Sequence, residues 1–316
     1  MKVLIIGAGA VGIGVGATLK NSGVDVDFIA RNETAKKLES DGIKRLGILG
    51  DIVIPSGQVG VFEDYEALKE DDYDYVLITA KTPANDEISE SLGGRSDILK
   101  EGGKLVFMQN GIGYEQPFLE FFDEDSIYHS RVITGFKKQE ENESVVTVHQ
   151  APVLIGSVYG YDAEPVEQLA KALDASGLPA RTDDEIDKAL WAKLIYNTTL
   201  NPLGAILKMS YGELAESTYA HAIMDTLIEE TFAIMDAVGA KTYWDNADDY
   251  RDELYDKLIP DTADHRSSTL QDIEKQKKTE IESMTGGLLS LASQCDVVAT
   301  MHSMVYWLIK AMEEKF

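Results

Sequence analysis

The sequence predicts an α/β domain followed by an all-helical one, and three observations carry that prediction. Lys2 to Ile6 is an apolar strand-type run that leads into the glycine-spaced turn GAGAVG at 7–12 and then into a helix-compatible stretch. Further strand-type runs recur as far as Ser157. After Glu185 the apolar spacing is helical almost throughout, with no strand signal. A chain of 316 residues is long for one core and comfortable for two, so 1–184 and 185–316 are the expected domains.

Composition narrows the class. Hydrophobic residues at 44% and charged residues at 27% are ordinary for a soluble globular chain. The single cysteine, Cys295, excludes an internal disulfide and any cysteine-rich metal site, and it fits a reducing cytoplasm. A formal charge of -26 argues against nucleic acid as a partner, because a phosphate backbone needs a basic surface. An anionic small molecule must then be met by locally placed lysine and arginine. Met1 to Leu19 sets a lysine ahead of an apolar run, but Gly7, Gly9, Gly12, Gly14 and Gly16 interrupt it too often for membrane insertion. No other segment is long and apolar enough to span a bilayer. The expectation is a soluble, cytoplasmic protein with no targeting signal and no membrane partner.

In GAGAVG the strand before and the helix after convert a common pattern into a specific one. Gly7 allows the tight turn, Gly9 lets the backbone approach a pyrophosphate, and Gly12 lets helix and strand pack closely, with Ala10 and Val11 between them. The helix N-terminus would hold the phosphates of a dinucleotide, which makes this a Rossmann-type domain. A second strand, Val24 to Ala30, ends at Arg31 and Asn32, where an acidic residue would select NAD(H). An arginine there suits a 2′-phosphate and favours NADP(H), although a plain surface arginine is also compatible. Asp27 reads as a strand-surface residue. Tyr73 to Ala80 is a further strand ending at Lys81, and Leu105 to Met108 another, running into Gln109, Asn110 and Gly111. Ligands of open α/β sheets lie beyond the carboxyl ends of strands, so Lys81 and Asn110 are candidates. A solvated lysine and a turn-forming asparagine are the alternatives. Ser126 to Thr134, Ser144 to His149 and Val153 to Ser157 are expected to extend the sheet, and Asp162 to Ser176 to form a helix. Arg181 to Asp187 is a short polar passage without a core pattern, where the domain boundary is placed.

The most informative stretch of the helical half is LWAKLIYNTTLNP, 190–202. Lys193, Asn197 and Asn201 stand four residues apart and stack along one helix face beside the apolar Leu190, Trp191, Leu194 and Ile195. Such a stripe lines a cleft or faces solvent, and the residues alone leave both open. Pro202 is expected to end or kink the helix and free the last carboxamide for a ligand. A second polar segment, 267–287, pairs Ser268 with Gln271 and Thr279 with Glu282 in capping-box spacing, which predicts a break near Lys275 to Lys278. The break would bring Ser268 and Glu280 toward one cleft, and a cleft between the two domains is the default ligand site.

Together GAGAVG, Arg31, the strand ending in Lys81, QNGIG, WAKLIYNTTLNPL and SSTLQDIEKQKKTEI resemble the ketopantoate reductase (2-dehydropantoate 2-reductase) family over nearly the whole chain. The resemblance implies a helical domain of the 6-phosphogluconate dehydrogenase C-terminal-like kind. It implies NADPH-dependent reduction of a small-molecule 2-oxo acid, 2-dehydropantoate, to pantoate, a step toward pantothenate and coenzyme A. By resemblance Lys193 is the general acid, and Glu280 orients it, binds a substrate hydroxyl and touches the cofactor. Asn110, Asn197, Asn201 and Ser268 bind substrate; Lys81 and Asn110 bridge cofactor and substrate; Arg31 holds the NADP phosphate. The alternatives are a reductase of another branched 2-oxo acid and a non-catalytic NADP(H) sensor. The family resemblance leaves a homodimer open. One departure, Phe136 in TGF at 134–136, stands where the family usually carries smaller residues; narrowing or reshaping of the cleft is the expectation, and it bears on which substrate is taken.

Overall fold

The structure is a computed structural model that describes residues 1–316. The chain divides into two compact units: Met1–Gln109 with Glu115–Ile186, and Asn110–Tyr114 with Asp187–Phe316. The first unit thus ends two residues beyond the expected boundary, and five residues after the strand-end Gln109 belong to the helical unit.

In the first unit, β1 (Lys2–Ile6), α1 (Ala10–Asn21) and β2 (Asp25–Ile29) form the expected βαβ start. They are followed by α2 (Asn32–Asp41), β3 (Ile43–Gly47), β4 (Ile52–Ile54), β5 (Gly60–Phe62), β6 (Tyr73–Ile78), α3 (Asn85–Gly93) and β7 (Leu99–Phe107). The unit closes with β8 (Ile127–Arg131), β9 (Thr134–Lys138), β10 (Glu143–His149), β11 (Val153–Gly156), α4 (Glu167–Ala175) and β12 (Ala180–Thr182). Eight strands make the main sheet in the order β12-β11-β8-β7-β6-β1-β2-β5. Its pairs are parallel except β8 with β11. The chain winds from β1 one way to β2 and β5, then returns to place β6 on the other flank of β1, so the strand order reverses there. That reversal is where an open α/β sheet leaves a crevice beyond its carboxyl ends.

Two expectations fail in this unit. Ser144 to His149 does not extend the main sheet but forms β10 of a separate four-stranded sheet, β4-β3-β10-β9. The reason lies in α1, which is buried from Gly12 to Leu19 and packs on both layers. A Cβ at Gly16 would lie 2.3 Å from the Phe28 ring of the main sheet, and one at Gly14 would lie 2.5 Å from the Phe136 ring of β9. The helix glycines are therefore contact points for two sheets. The polar passage at 181–187 is also not structureless, because β12 pairs in parallel with β11 and Ile186 is fully buried. An edge strand of three residues carries too little alternation to be read from sequence.

The second unit is helical: α5 (Ile186–Leu207), α6 (Tyr211–Glu216), α7 (Thr218–Val238), α8 (Ala247–Glu253), α9 (Ser268–Glu274), α10 (Gly287–Gln294) and α11 (Thr300–Glu313). Single π-helical turns at Leu254–Leu258 and Glu282–Gly286 follow α8 and precede α10. The core runs through Ile195, Leu200, Leu203, Leu214, Met224 and Ile228. Pro202 lies inside α5, which continues to Leu207. The ring removes the donor for the Thr198 carbonyl, yet Leu200, Leu203 and Ala205 are buried on either side, and their packing outweighs the local preference. None of the 22 residues of α5, nor any other helix, is part of a segment long and apolar enough to cross a membrane.

Candidate functional site

The glycine turn has the geometry its spacing demands. Gly7 has φ +110°, and a Cβ there would lie 2.4 Å from the Ala80 nitrogen. A Cβ at Gly12 would lie 2.1 Å from the Gly7 carbonyl oxygen. Gly9 is different, because an added Cβ would meet nothing within 4 Å. The protein itself places no demand for glycine at position 9. The N-terminus of α1 carries no side-chain cap and no acidic residue in its first turn, so its amides are left for an anion. Residues 7–12 therefore fit a dinucleotide pyrophosphate.

Around this turn, Thr79 Oγ1 donates to the Gly7 carbonyl at 2.7 Å. Lys81 follows β6 and is exposed at the start of a 3₁₀ turn. Gln109 and Asn85, both buried, exchange hydrogen bonds through their carboxamides at 2.7 and 3.0 Å, and Gln109 Nε2 also donates to the Ala80 carbonyl at 2.7 Å. This pair fixes the loop ends of β6 and β7, and the sequence reading missed it. Two carboxamides 24 residues apart announce no partnership in a single sequence. Arg31 sits at the N-cap of α2 and pairs with Glu87 of α3 at 2.6 Å, both side chains being more than half exposed. Asp27 is buried, accepts from the Tyr73 hydroxyl at 2.8 Å and pairs with Lys2 at 3.0 Å, so it is held within the sheet.

In the helical unit the polar stripe of α5 gains partners. Lys193 Nζ donates to Asn110 Oδ1 at 2.5 Å, and Asn110 Nδ2 donates to Glu280 Oε2 at 3.0 Å. The Asn110 carboxamide thus links an ammonium on α5 to a carboxylate 87 positions further along the chain. Asn110 is itself clamped. Its carbonyl accepts from Ser283 Oγ at 2.9 Å, and the Ser283 carbonyl accepts from the Ile112 amide at 2.8 Å. A Cβ at Gly111, φ +106°, would lie 2.1 Å from the Ser283 carbonyl oxygen, which explains the glycine in QNGIG. The π-helical turn that carries Ser283 widens the helix at this contact, a common placement for such turns.

The predicted break is present: α9 ends at Glu274 and Gln276 has φ 54°. Neither capping box forms. The N-cap of α9 is Ser267, which accepts from the Leu270 amide, and Gln271 donates to the Arg266 carbonyl. Glu282 turns away from Thr279 to Lys310 and Tyr306. Ser267 Oγ also donates to the Asn201 carbonyl at 3.0 Å. One end of the 267–280 segment is thereby tied to α5 at Asn201, and the other is tied through Asn110 to α5 at Lys193. Those anchor points are eight residues of helix apart, roughly 12 Å.

The stripe residues differ in freedom. Asn197 is half-buried and its carboxamide has no partner within the chain. Asn201 is not freed as Pro202 suggested: it is buried, and its Oδ1 accepts from the Tyr211 hydroxyl at 2.6 Å. Burial raises Tyr211 well above the usual tyrosine range, so that hydroxyl stays a donor. Ser268 is exposed at the first position of α9. The Phe136 ring of β9 packs against Gly14 of α1 within the first unit.

Comparison with known proteins follows the same division of the chain. Residues 3–160 match the family model described as ketopantoate reductase PanE/ApbA, and residues 185–313 match its C-terminal counterpart. The 2-dehydropantoate 2-reductase of Aquifex aeolicus (strain VF5) is 31% identical over 314 residues, covering 99% of this chain and 97% of the relative. The crystal structure of 2-dehydropantoate 2-reductase from Geobacter metallireducens GS-15 superposes with TM-score 0.87 at 25% identity, covering 98% of this chain and 99% of that one. The ternary structure of D-mandelate dehydrogenase with NADH and anilino(oxo)acetate shares the fold, with TM-score 0.87 at 22% identity, covering 100% of this chain and 99% of that one. On the full-length match to the Aquifex aeolicus enzyme and the paired family models, this chain belongs to the ketopantoate reductase family.

Proposed function

We propose that this protein reduces 2-dehydropantoate to pantoate with NADPH. The observation that supports this most is the hydrogen-bond chain Lys193, Asn110, Glu280 in a member of that family. NADPH, when bound, would supply hydride chemistry at the substrate carbonyl carbon. Lys193 then delivers a proton from Nζ to the carbonyl oxygen as negative charge develops on it. Asn110 holds the ammonium through Oδ1, and Glu280 holds Asn110 and accepts from a substrate hydroxyl. Asn197 can donate to one substrate oxygen and accept from another. Ser268 would offer its hydroxyl to the carboxylate, and Asn201, whose Oδ1 is taken by Tyr211, has Nδ2 left for substrate. In the first unit residues 7–12 would hold the pyrophosphate, Lys81 would reach the cofactor, and Arg31 would exchange Glu87 for the 2′-phosphate.

The test is steady-state turnover across a panel of 2-oxo acids with NADPH and with NADH. Highest kcat/KM with 2-dehydropantoate and NADPH is expected. Strong turnover only with acids that lack the 4-hydroxyl would sink the substrate assignment, and equal rates with NADH would remove the role given to Arg31.

Gly9 gives an independent check on the cofactor. Because no protein atom lies near its absent Cβ, Gly9→Ala is expected to keep the thermal midpoint of the parent. A methyl facing the pyrophosphate should still weaken NADPH binding by roughly 10- to 100-fold, about 1.4–2.8 kcal/mol. Calorimetric titration measures it, and unchanged affinity would mean that the phosphates lie elsewhere.

A further inference from the structure

We propose that Glu313 is a positioning residue for the Glu280 end of the active site, acting through Thr279. The proposal rests on the reading of Lys193, Asn110 and Glu280 given above. Between the end of α9 at Glu274 and the π-helical turn at Glu282, no regular helix fixes the backbone, and Gln276 adopts a left-handed conformation. Glu280 stands in that stretch, so something other than helix geometry must set where its carboxylate lies.

Two sets of contacts do so. On the far side, the Glu280 carbonyl accepts from the Met284 amide at 3.1 Å, and Ser283 Oγ, whose shorter bond goes to the Asn110 carbonyl, lies 3.2 Å from it. On the near side, Glu313 reaches from the last turn of α11, and its Oε1 accepts from both the amide and the hydroxyl of Thr279, at 2.7 and 2.6 Å. Thr279 Oγ1 in turn accepts from the Ile281 amide at 3.2 Å, so the residues flanking Glu280 are held by one carboxylate. Glu313 and Thr279 are each 2% exposed. A carboxylate is seldom buried without compensation, and here Lys310 at 3.5 Å and Lys278 at 4.0 Å face its other oxygen. Charge-assisted bonds of this kind are short and directional, which suits the fixing of a loop. Glu313 touches none of the groups proposed to react.

Three variants test the role in the full chain, beside Lys193→Ala as the reference. Glu313→Ala should lower kcat roughly tenfold, the scale of a small misplacement of a catalytic group. Its NADPH dissociation constant should stay within roughly twofold, because residues 7–12 are untouched. Glu313→Gln keeps an oxygen that accepts from Thr279 and should restore most of the rate. Wild-type kcat in Glu313→Ala beside an inactive Lys193→Ala overturns the positioning role alone. Full activity of Lys193→Ala overturns the underlying reading, and the proposal with it. A matching loss of kcat, NADPH affinity and melting temperature in both Glu313 variants marks a merely structural residue and also overturns the proposal. If Glu313→Ala does not fold, Thr279→Val decides: a fall in kcat of a few fold supports the proposal, and an unchanged kcat refutes it.

Discussion

Lys193→Ala is expected to lower kcat about 10³-fold, near 4 kcal/mol of transition-state stabilisation, while NADPH affinity stays within roughly twofold. Hydride addition leaves an alkoxide, and the proposed site offers it the ammonium that Asn110 Oδ1 holds at 2.5 Å. Truncation removes both the proton and the positive charge. The helix should tolerate the change, because Lys193 is half-buried while its neighbours Leu194 and Ile195 supply the core contacts, and alanine favours helix. Lys193→Arg separates the two contributions. Arginine keeps the charge but does not release a proton near neutral pH, so it should stay close to the alanine variant if proton transfer dominates. Steady-state kcat together with NADPH fluorescence titration measures all of this. A kcat within tenfold of the parent for Lys193→Ala would remove Lys193 as the acid.

What the sequence revealed of this site follows the range of each signal. Lys193, Asn197 and Asn201 were visible because helical period is local, and Gly7, Gly9 and Gly12 because a βαβ turn imposes fixed spacing. The Asn110 bridge was not, since its partners lie 83 and 170 residues away and a carboxamide suits many roles. The buried Gln109–Asn85 pair and the Glu313 contact with Thr279 escaped for the same reason. Local rules also misled where packing intervened. Pro202 was expected to end or kink α5; the helix does not end there but runs on to Leu207, with Leu200 and Leu203 buried on either side. The cap of α9 moved one residue back, to Ser267, because that hydroxyl also reaches the Asn201 carbonyl. The second sheet stayed hidden because β4 has only three residues and the pairing of β3 with β10 spans about a hundred residues.

Acidification from pH 7 to pH 5 is expected to cost the helical unit about 2 kcal/mol of stability through His302 alone. This histidine is fully buried, and burial pushes it down to about 4. Its Nε2 lies 3.0 Å from the Leu227 carbonyl and 2.9 Å from Thr231 Oγ1, while Thr231 Oγ1 donates to that same carbonyl. Nε2 therefore carries the proton. Nδ1 is buried with no hydrogen-bond partner, so protonation would place both a charge and an unsatisfied donor in the core. The folded pKa lies below the unfolded value near 6.5, so the unfolded chain binds more protons between about pH 6.5 and 4. Stability is full above that window and falls as pH drops through it. Many carboxylates titrate at the lower end of the same range, so the informative quantity is the difference in slope between the parent and His302→Gln. The three tryptophans, Trp191, Trp244 and Trp307, all lie in the helical unit, so their emission follows its unfolding. Denaturant melts read this way should show the parent losing stability more steeply than His302→Gln as pH falls from 7 to 5. Equal slopes would mean that His302 titrates alike in the folded and unfolded chain, as it would if the core opened to water around it.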